Sequence, residues 1–110
     1  MNFGASEQIV PVNDISFIES EFGNTNVYLV GGDHGTVGQS LTKLSAELDP
    51  SQFLHVSRQH IVSISSVRKI NRGGEGRPEI VMDVDRGTPI VCTRLTFNKL
   101  KDLLEKYSVQ

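Results

Sequence analysis

The chain has 110 residues, 37% of them hydrophobic, with no tryptophan, one cysteine and a formal net charge of −2. That length holds one domain with a single sizeable core, and the core must come from Val, Ile, Leu and Phe. Cys92 alone excludes an intrachain disulfide and a multi-cysteine zinc site, while the lack of any apolar run near the roughly 20 residues of a membrane span, or of a signal-like N-terminus, leads to the expectation of a cytoplasmic protein.

Residues 1–8, MNFGASEQ, show no periodicity and read as a flexible lead-in to a domain spanning residues 9–110. From Ile9 the pattern is β. Ile9, Val10 and Val12 form a first apolar run that Pro11 keeps near an edge, followed by Ile15 to Ile18. A turn is expected over residues 22–26, with a returning strand at Val27, Tyr28, Leu29 and Val30. This puts Asn24, Thr25 and Asn26 on a hairpin tip, where turn chemistry would by itself account for them.

Gly31, Gly32 and Gly35 turn the chain towards a short strand at Thr36 and Val37. A helix is expected over residues 40–48, since Leu41, Leu44 and Leu48 share a face, Ser40 can cap and Pro50 ends it. A phosphate-binding loop would need Lys where Gln39 stands and Gly where Asp33 stands, so that reading fails.

Next comes FLHVSRQHIVSI, from Phe53 to Ile64, two apolar flanks around a polar crest of Ser57, Arg58, Gln59 and His60. A strand that only fills a core has no need of such a break, whereas a scaffold presenting side chains to a partner does. Ser65 to Ile70 is expected to continue as strand. The glycine-rich run at residues 71–78 reads as a hairpin connection, and with no helix after it a dinucleotide loop is excluded. Residues 79–84 and 89–92 make a last hairpin. The closing helix sets Phe97, Leu100, Leu104 and Tyr107 on one face, widened by Leu103, with Thr93 or Thr96 as its cap and Arg94 at its start.

The charge is unevenly spread. Residues 1–56 carry seven acids against Lys43, whereas residues 57–77 carry Arg58, Arg68, Lys69, Arg72 and Arg77 against Glu75. A local basic face matters more to a polyanion than the total does. Arg58 and Arg94 can each grip a guanine or a phosphate in bidentate fashion; surface ion pairing is the plainer use of both.

Catalysis finds less support. His55 and His60, five apart, would face opposite sides of an unbroken strand, and no further Cys or His lies near enough to complete a metal site. Ser57, His60 and an acid such as Asp83 could form a triad, but neither a nucleophile elbow nor an oxyanion-hole signature accompanies them.

The order of these pieces resembles the LytTR-type DNA-binding domain of bacterial transcription regulators over roughly residues 9–107. Four stretches carry the likeness: DISFIES with its return strand, SLTKLSAELDPSQF, FLHVSRQHIVSISSVRKI and PIVCTRLTFNKLKDLL. The third is similar to the family's F-x-x-V-H-R-S-Y-I-V-N run, and the last to its I-P-V-S-R before the closing helix. The resemblance implies a mainly β, elongated fold of short antiparallel sheets with one short internal helix and a C-terminal helix. It further implies an output domain of the response-regulator kind, binding double-stranded DNA at promoter repeats, pairing there as a homodimer, and using no cofactor, small-molecule substrate or enzymatic step.

Carried over position by position, the resemblance places Asn24, Thr25 and Asn26, then Ser57, Arg58 and Gln59, then Thr93, Arg94 and Thr96 at the DNA. Arg68, Lys69, Arg72, Lys99 and Lys101 are expected to meet phosphates. Arg58 and Arg94 match the family pattern. Ser57 replaces its usual His, Gln59 its Ser, His60 an aromatic residue, Ser63 its Asn and Thr93 its Ser, so altered base preference is expected. The alternative is a β-rich protein-interaction domain that has lost DNA binding.

Overall fold

The computed structural model describes residues 2–3, 8–9, 11–71, 77–84 and 90–108. Its centre is a five-stranded antiparallel sheet in the order β5-β4-β3-β7-β6, made of β3 (Ile15–Glu21), β4 (Asn24–Leu29), β5 (His34–Val37), β6 (Phe53–Ser57) and β7 (His60–Ser63). Before it, β1 (Asn2–Phe3) pairs with β2 (Gln8–Ile9), so short ladder segments lie within the stretch expected to lead in loosely. A 3-10 turn at Val12–Asp14 replaces the strand expected beyond Pro11.

β3 is the spine of the sheet, paired on both sides, and all four residues from Ile15 to Ile18 are buried. Simple alternation would bury only every second one. A bulge between Ile15 and Phe17 breaks the register against β4, so Ile15 and Ile18 join one core while Phe17 joins another. The bulged residue, Ser16, is buried and donates its hydroxyl to Asp83 Oδ1 at 2.6 Å.

The first core lies under α1 (Leu41–Glu47). Ser40 caps this helix, its Oγ accepting from the Lys43 amide at 3.2 Å. Leu41, Leu44 and Leu48 then pack on Ile18, Val27, Phe53 and Ile61. A second core fills the opposite face, so the central sheet separates two apolar clusters where the length implies a single core. There Phe17, Tyr28, Val56 and Val62 meet Ile80 and Met82 of β9 (Glu79–Met82), Ile90 of β10 (Ile90–Val91), and Phe97 and Leu100 of α2 (Arg94–Ser108). With β8 (Val67–Asn71), these strands form a three-stranded antiparallel sheet ordered β10-β9-β8. A 3-10 turn at Ile64–Ser66 separates β7 from β8, where the sequence reads as continuous strand, because Ile64 and Ser66 both turn into the core.

Helix α2 presents Phe97 and Leu100 to the core and keeps Leu103 and Leu104 partly covered, as its periodicity requires. No helix among the described residues is long and apolar enough to cross a membrane.

Candidate nucleic-acid interface

The polar crest is a hairpin rather than a break in one strand. Ser57 of β6 pairs with His60 of β7, leaving Arg58 and Gln59 as a two-residue loop. Neither residue has the positive φ of the turns that match strand twist. Side chains brace the loop instead. Ser57 Oγ accepts from the Gln59 amide at 3.2 Å and lies 3.0 Å from His60 Nδ1; His60 Nε2 lies 2.9 Å from Glu19 Oε2 on β3. A carboxylate only accepts, so Nε2 carries the proton and, in the neutral ring, Nδ1 accepts from the Ser57 hydroxyl. Burial holds the His60 imidazole below its ordinary pKa, outweighing the attraction of Glu21. A bulge at Val56, whose side chain is buried in the second core, anchors the other arm of the hairpin.

The acid facing His60 is therefore Glu19, and Asp83, the candidate weighed from sequence, is engaged by Ser16 instead. Serine, imidazole and carboxylate stand in a row, but the neighbouring Gln59 amide is spent on Ser57 Oγ itself. An oxyanion hole needs such an amide free to face the substrate. The row orders a loop. His55 is exposed on β6, and the described residues contain no group of three or more His, Cys, Asp and Glu placed to hold a metal.

Beside this loop runs a groove of about 710 Å³ bounded by residues 56–60, by Arg77 and by residues 91–93. The Cys92 amide donates to the Pro78 carbonyl at 3.0 Å, which ties the far wall to the residue after Arg77. Thr93 caps α2, its Oγ1 accepting from the Thr96 amide at 3.2 Å and donating to Thr96 Oγ1 at 3.0 Å. Arg94 opens the helix and is exposed. Among the described residues the groove lining thus has two arginines, Arg58 and Arg77, and no carboxylate. Arg77 belongs to the basic stretch but not to the expected site residues; charge is its one sequence signal, because the bond that brings Pro78 beside Cys92 is non-local.

The first expected loop sits differently. Asn24, Thr25 and Asn26 are not a tip but the start of β4, paired with Glu21, Ser20 and Glu19 respectively. The tip is Phe22 and Gly23, with φ of 51° and 80°, the type I′ pattern of a two-residue hairpin. Once those two residues make the turn, pairing resumes at once. Asn24 remains exposed, Thr25 is buried, and Asn26 Oδ1 accepts from Thr36 Oγ1 at 3.0 Å. The hairpin nevertheless shares an end of the sheet with Arg58, because the Ser20 amide donates to the Gln59 carbonyl at 2.8 Å. Asn24 and Thr25 line a second groove, of about 880 Å³, with Gln39 and Ser40 across it.

Of the expected phosphate contacts, Arg68 and Lys69 are exposed on β8 and Lys99 is exposed on α2. Lys101 is half-buried, its Nζ 5.8 Å from the centre of the Phe97 ring. Arg72 lies outside the described residues. The structure therefore joins the second and third expected loops across one groove and sets the first beside them along the sheet end.

Comparison with known proteins bears on family and fold. Residues 7–105 match the model of the LytTr DNA-binding domain. The CO-responsive transcriptional regulator RcoM of Rhodospirillum rubrum is 28% identical over 104 residues, covering 94% of this chain and 43% of that protein. An uncharacterized response regulatory protein of Vibrio cholerae is 26% identical over 83 residues, covering 73% of this chain and 32% of its own length. The chain thus spans less than half of each of these relatives. In fold it is similar to the LytTr DNA-binding domain of a methyl-accepting/DNA response regulator from Bacillus cereus, with a TM-score of 0.71 at 21% identity over 86% of this chain and 84% of that one. The matched residues take in the five-stranded and three-stranded sheets, the groove and nearly all of the closing helix, and on that evidence the chain belongs to the LytTr DNA-binding domain family.

Proposed function

We propose that residues 9–110 act as a sequence-specific reader of double-stranded DNA in transcription regulation, without catalysis or cofactor, in the bacterial cytoplasm. The observation that carries this reading is the groove between residues 56–60 and 91–93, where Arg58 and Arg77 stand beside a capped helix start and the described lining holds no acid. Arg58 and Arg94 read bases, with Ser57, Gln59, Thr93 and Asn24 beside them. Thr25 and Asn26 support the first hairpin, and Thr96 a phosphate at the helix start. Arg68, Lys69, Arg72, Lys99 and Lys101 supply contacts to phosphate that are blind to sequence. The loops enter successive grooves of a repeat-type promoter site, and two copies pair on the two repeats.

Binding measured on a selected duplex and on a scrambled one tests the assignment. Arg58→Ala and Arg94→Ala are each expected to cost about 1–3 kcal/mol on the selected duplex and little on the scrambled one. Folded variants that bind the selected duplex as wild type does would refute it. A second reading, a protein-interaction domain that has lost DNA binding, draws on the burial of Thr25 and the net charge of −2. It predicts binding to neither duplex.

A further inference from the structure

Phe22 is 94% exposed, the most exposed large apolar side chain among the described residues. It stands at φ 51°, the only positive φ among their non-glycine residues, in a conformation rarely taken by a bulky aromatic. The backbone conformation works against folding, and the exposed ring returns no burial in exchange. Asparagine or glycine would make the same turn with less strain and no exposed ring. Leu95, 77% exposed in the first turn of α2, is the next most exposed and carries no such backbone cost. A large apolar side chain kept in strained backbone with nothing buried in return points to a partner.

The place of Phe22 narrows what that partner is. The ladder of β3 and β4 ends at Glu21 and Asn24, so the ring stands beyond the sheet. One residue inside that last pair, Ser20 is bonded to Gln59, which puts the tip next to the loop bearing Arg58 and further out along the strand direction. An apolar ring that projects past an arginine suits the stacked bases between two phosphate backbones. Aromatic and aliphatic wedges are known to enter base steps and kink the duplex.

We propose that Phe22 is an apolar wedge that inserts at a base step beside the bases read by Arg58. This inference rests on the DNA-binding reading above and adds to it a mode of contact and a class of step. The step is a pyrimidine–purine one, TA or CA/TG, because such steps unstack most easily. The turn sets the backbone at Phe22 before DNA arrives, so little backbone freedom is lost on insertion.

The test uses the duplex enriched from a random pool by the wild-type chain, with 2-aminopurine replacing adenine at each pyrimidine–purine step in turn. Wild type is expected to raise the fluorescence of one such position as that base unstacks. Phe22→Asn keeps the turn and is expected to melt no lower than wild type. It should nevertheless bind the duplex roughly tenfold or more weakly and leave the fluorescence unchanged, while Phe22→Leu keeps part of both. If wild type binds in an Arg58-dependent manner but no position brightens, the wedge is overturned and the DNA-binding reading stands. Equal affinity for wild type and Phe22→Asn overturns it as well and assigns the ring to a protein contact. If wild type enriches no duplex, both readings fall together.

Discussion

Arg58 owes its position to hydrogen bonds that begin on another strand. Glu19 holds His60, His60 holds Ser57, and Ser57 holds the amide of Gln59. Removing the hydroxyl with Ser57→Ala should cost about 1 kcal/mol of stability and loosen the loop, read as a lower melting temperature together with weaker discrimination between selected and scrambled duplexes. The imidazole also makes stability depend on pH. Its folded pKa is depressed, so the unfolded chain binds the proton more readily. The contribution is complete above the ordinary value of about 6.5 and is lost as pH falls below it towards the folded value. Thermal melts between pH 7.5 and 5 should therefore show a steeper decline for wild type than for His60→Gln. Equal declines would mean that another group carries the dependence. Cys92 behaves oppositely, since burial raises its thiol pKa and keeps it protonated at neutral pH. Native protein should accordingly resist alkylation that proceeds readily after unfolding.

At the scale of elements, α1 is the most independent piece. Its leucines pack on the first core, on the face of the sheet opposite the groove. Leu44→Ala should cost about 2–5 kcal/mol by leaving a cavity, with DNA affinity per folded molecule unchanged. A variant that folds but binds poorly would mean that the first core also shapes the groove. Both helices were legible in the sequence because three or more apolar residues recur on one face beside a capping Ser or Thr. The mainly β character and the Ser57, Arg58, Gln59 loop were legible too, from apolar runs broken by polar residues. Three features were not. The bulge at Ile15 and Phe17 defeats period-two counting, so the double-sided burial of β3 is visible only once its partners are known. The turn expected over residues 22–26, with Asn24, Thr25 and Asn26 at its tip, narrows to Phe22 and Gly23, because local propensity would not place a phenylalanine in left-handed backbone and so let pairing resume at Asn24. Glu19 meets His60 across 41 positions of sequence, a separation that no local pattern spans.

Over the whole molecule, a net charge of −2 coexists with a groove whose lining is basic. Of the acids among the described residues, Glu47 ends α1 beyond the first core and Asp49 folds back on Ser51, while Glu19, behind the groove wall, is engaged by the groove-lining His60. The local potential, rather than the sum, sets the attraction for phosphate. Affinity for any duplex should therefore fall steeply as salt rises, in proportion to the phosphates neutralised. Replacing Lys69 or Lys99 with Gln should reduce that slope by about one unit each without changing which sequence is preferred. The fold shared with the Bacillus cereus domain, at 21% identity, shows that the two-sheet frame tolerates wide substitution. On the proposed reading, base preference rests on the few side chains at the loops, among them Ser57 and Gln59.

The measurement that bears most directly on this account is selection of bound sequences from a random duplex pool at low salt, run in parallel with wild type, Arg58→Ala and Arg94→Ala. Wild type is expected to enrich one motif arranged as a repeat, and each variant to enrich a version relaxed at the base its arginine reads. No enrichment by wild type, or the same motif from all three proteins, would contradict it.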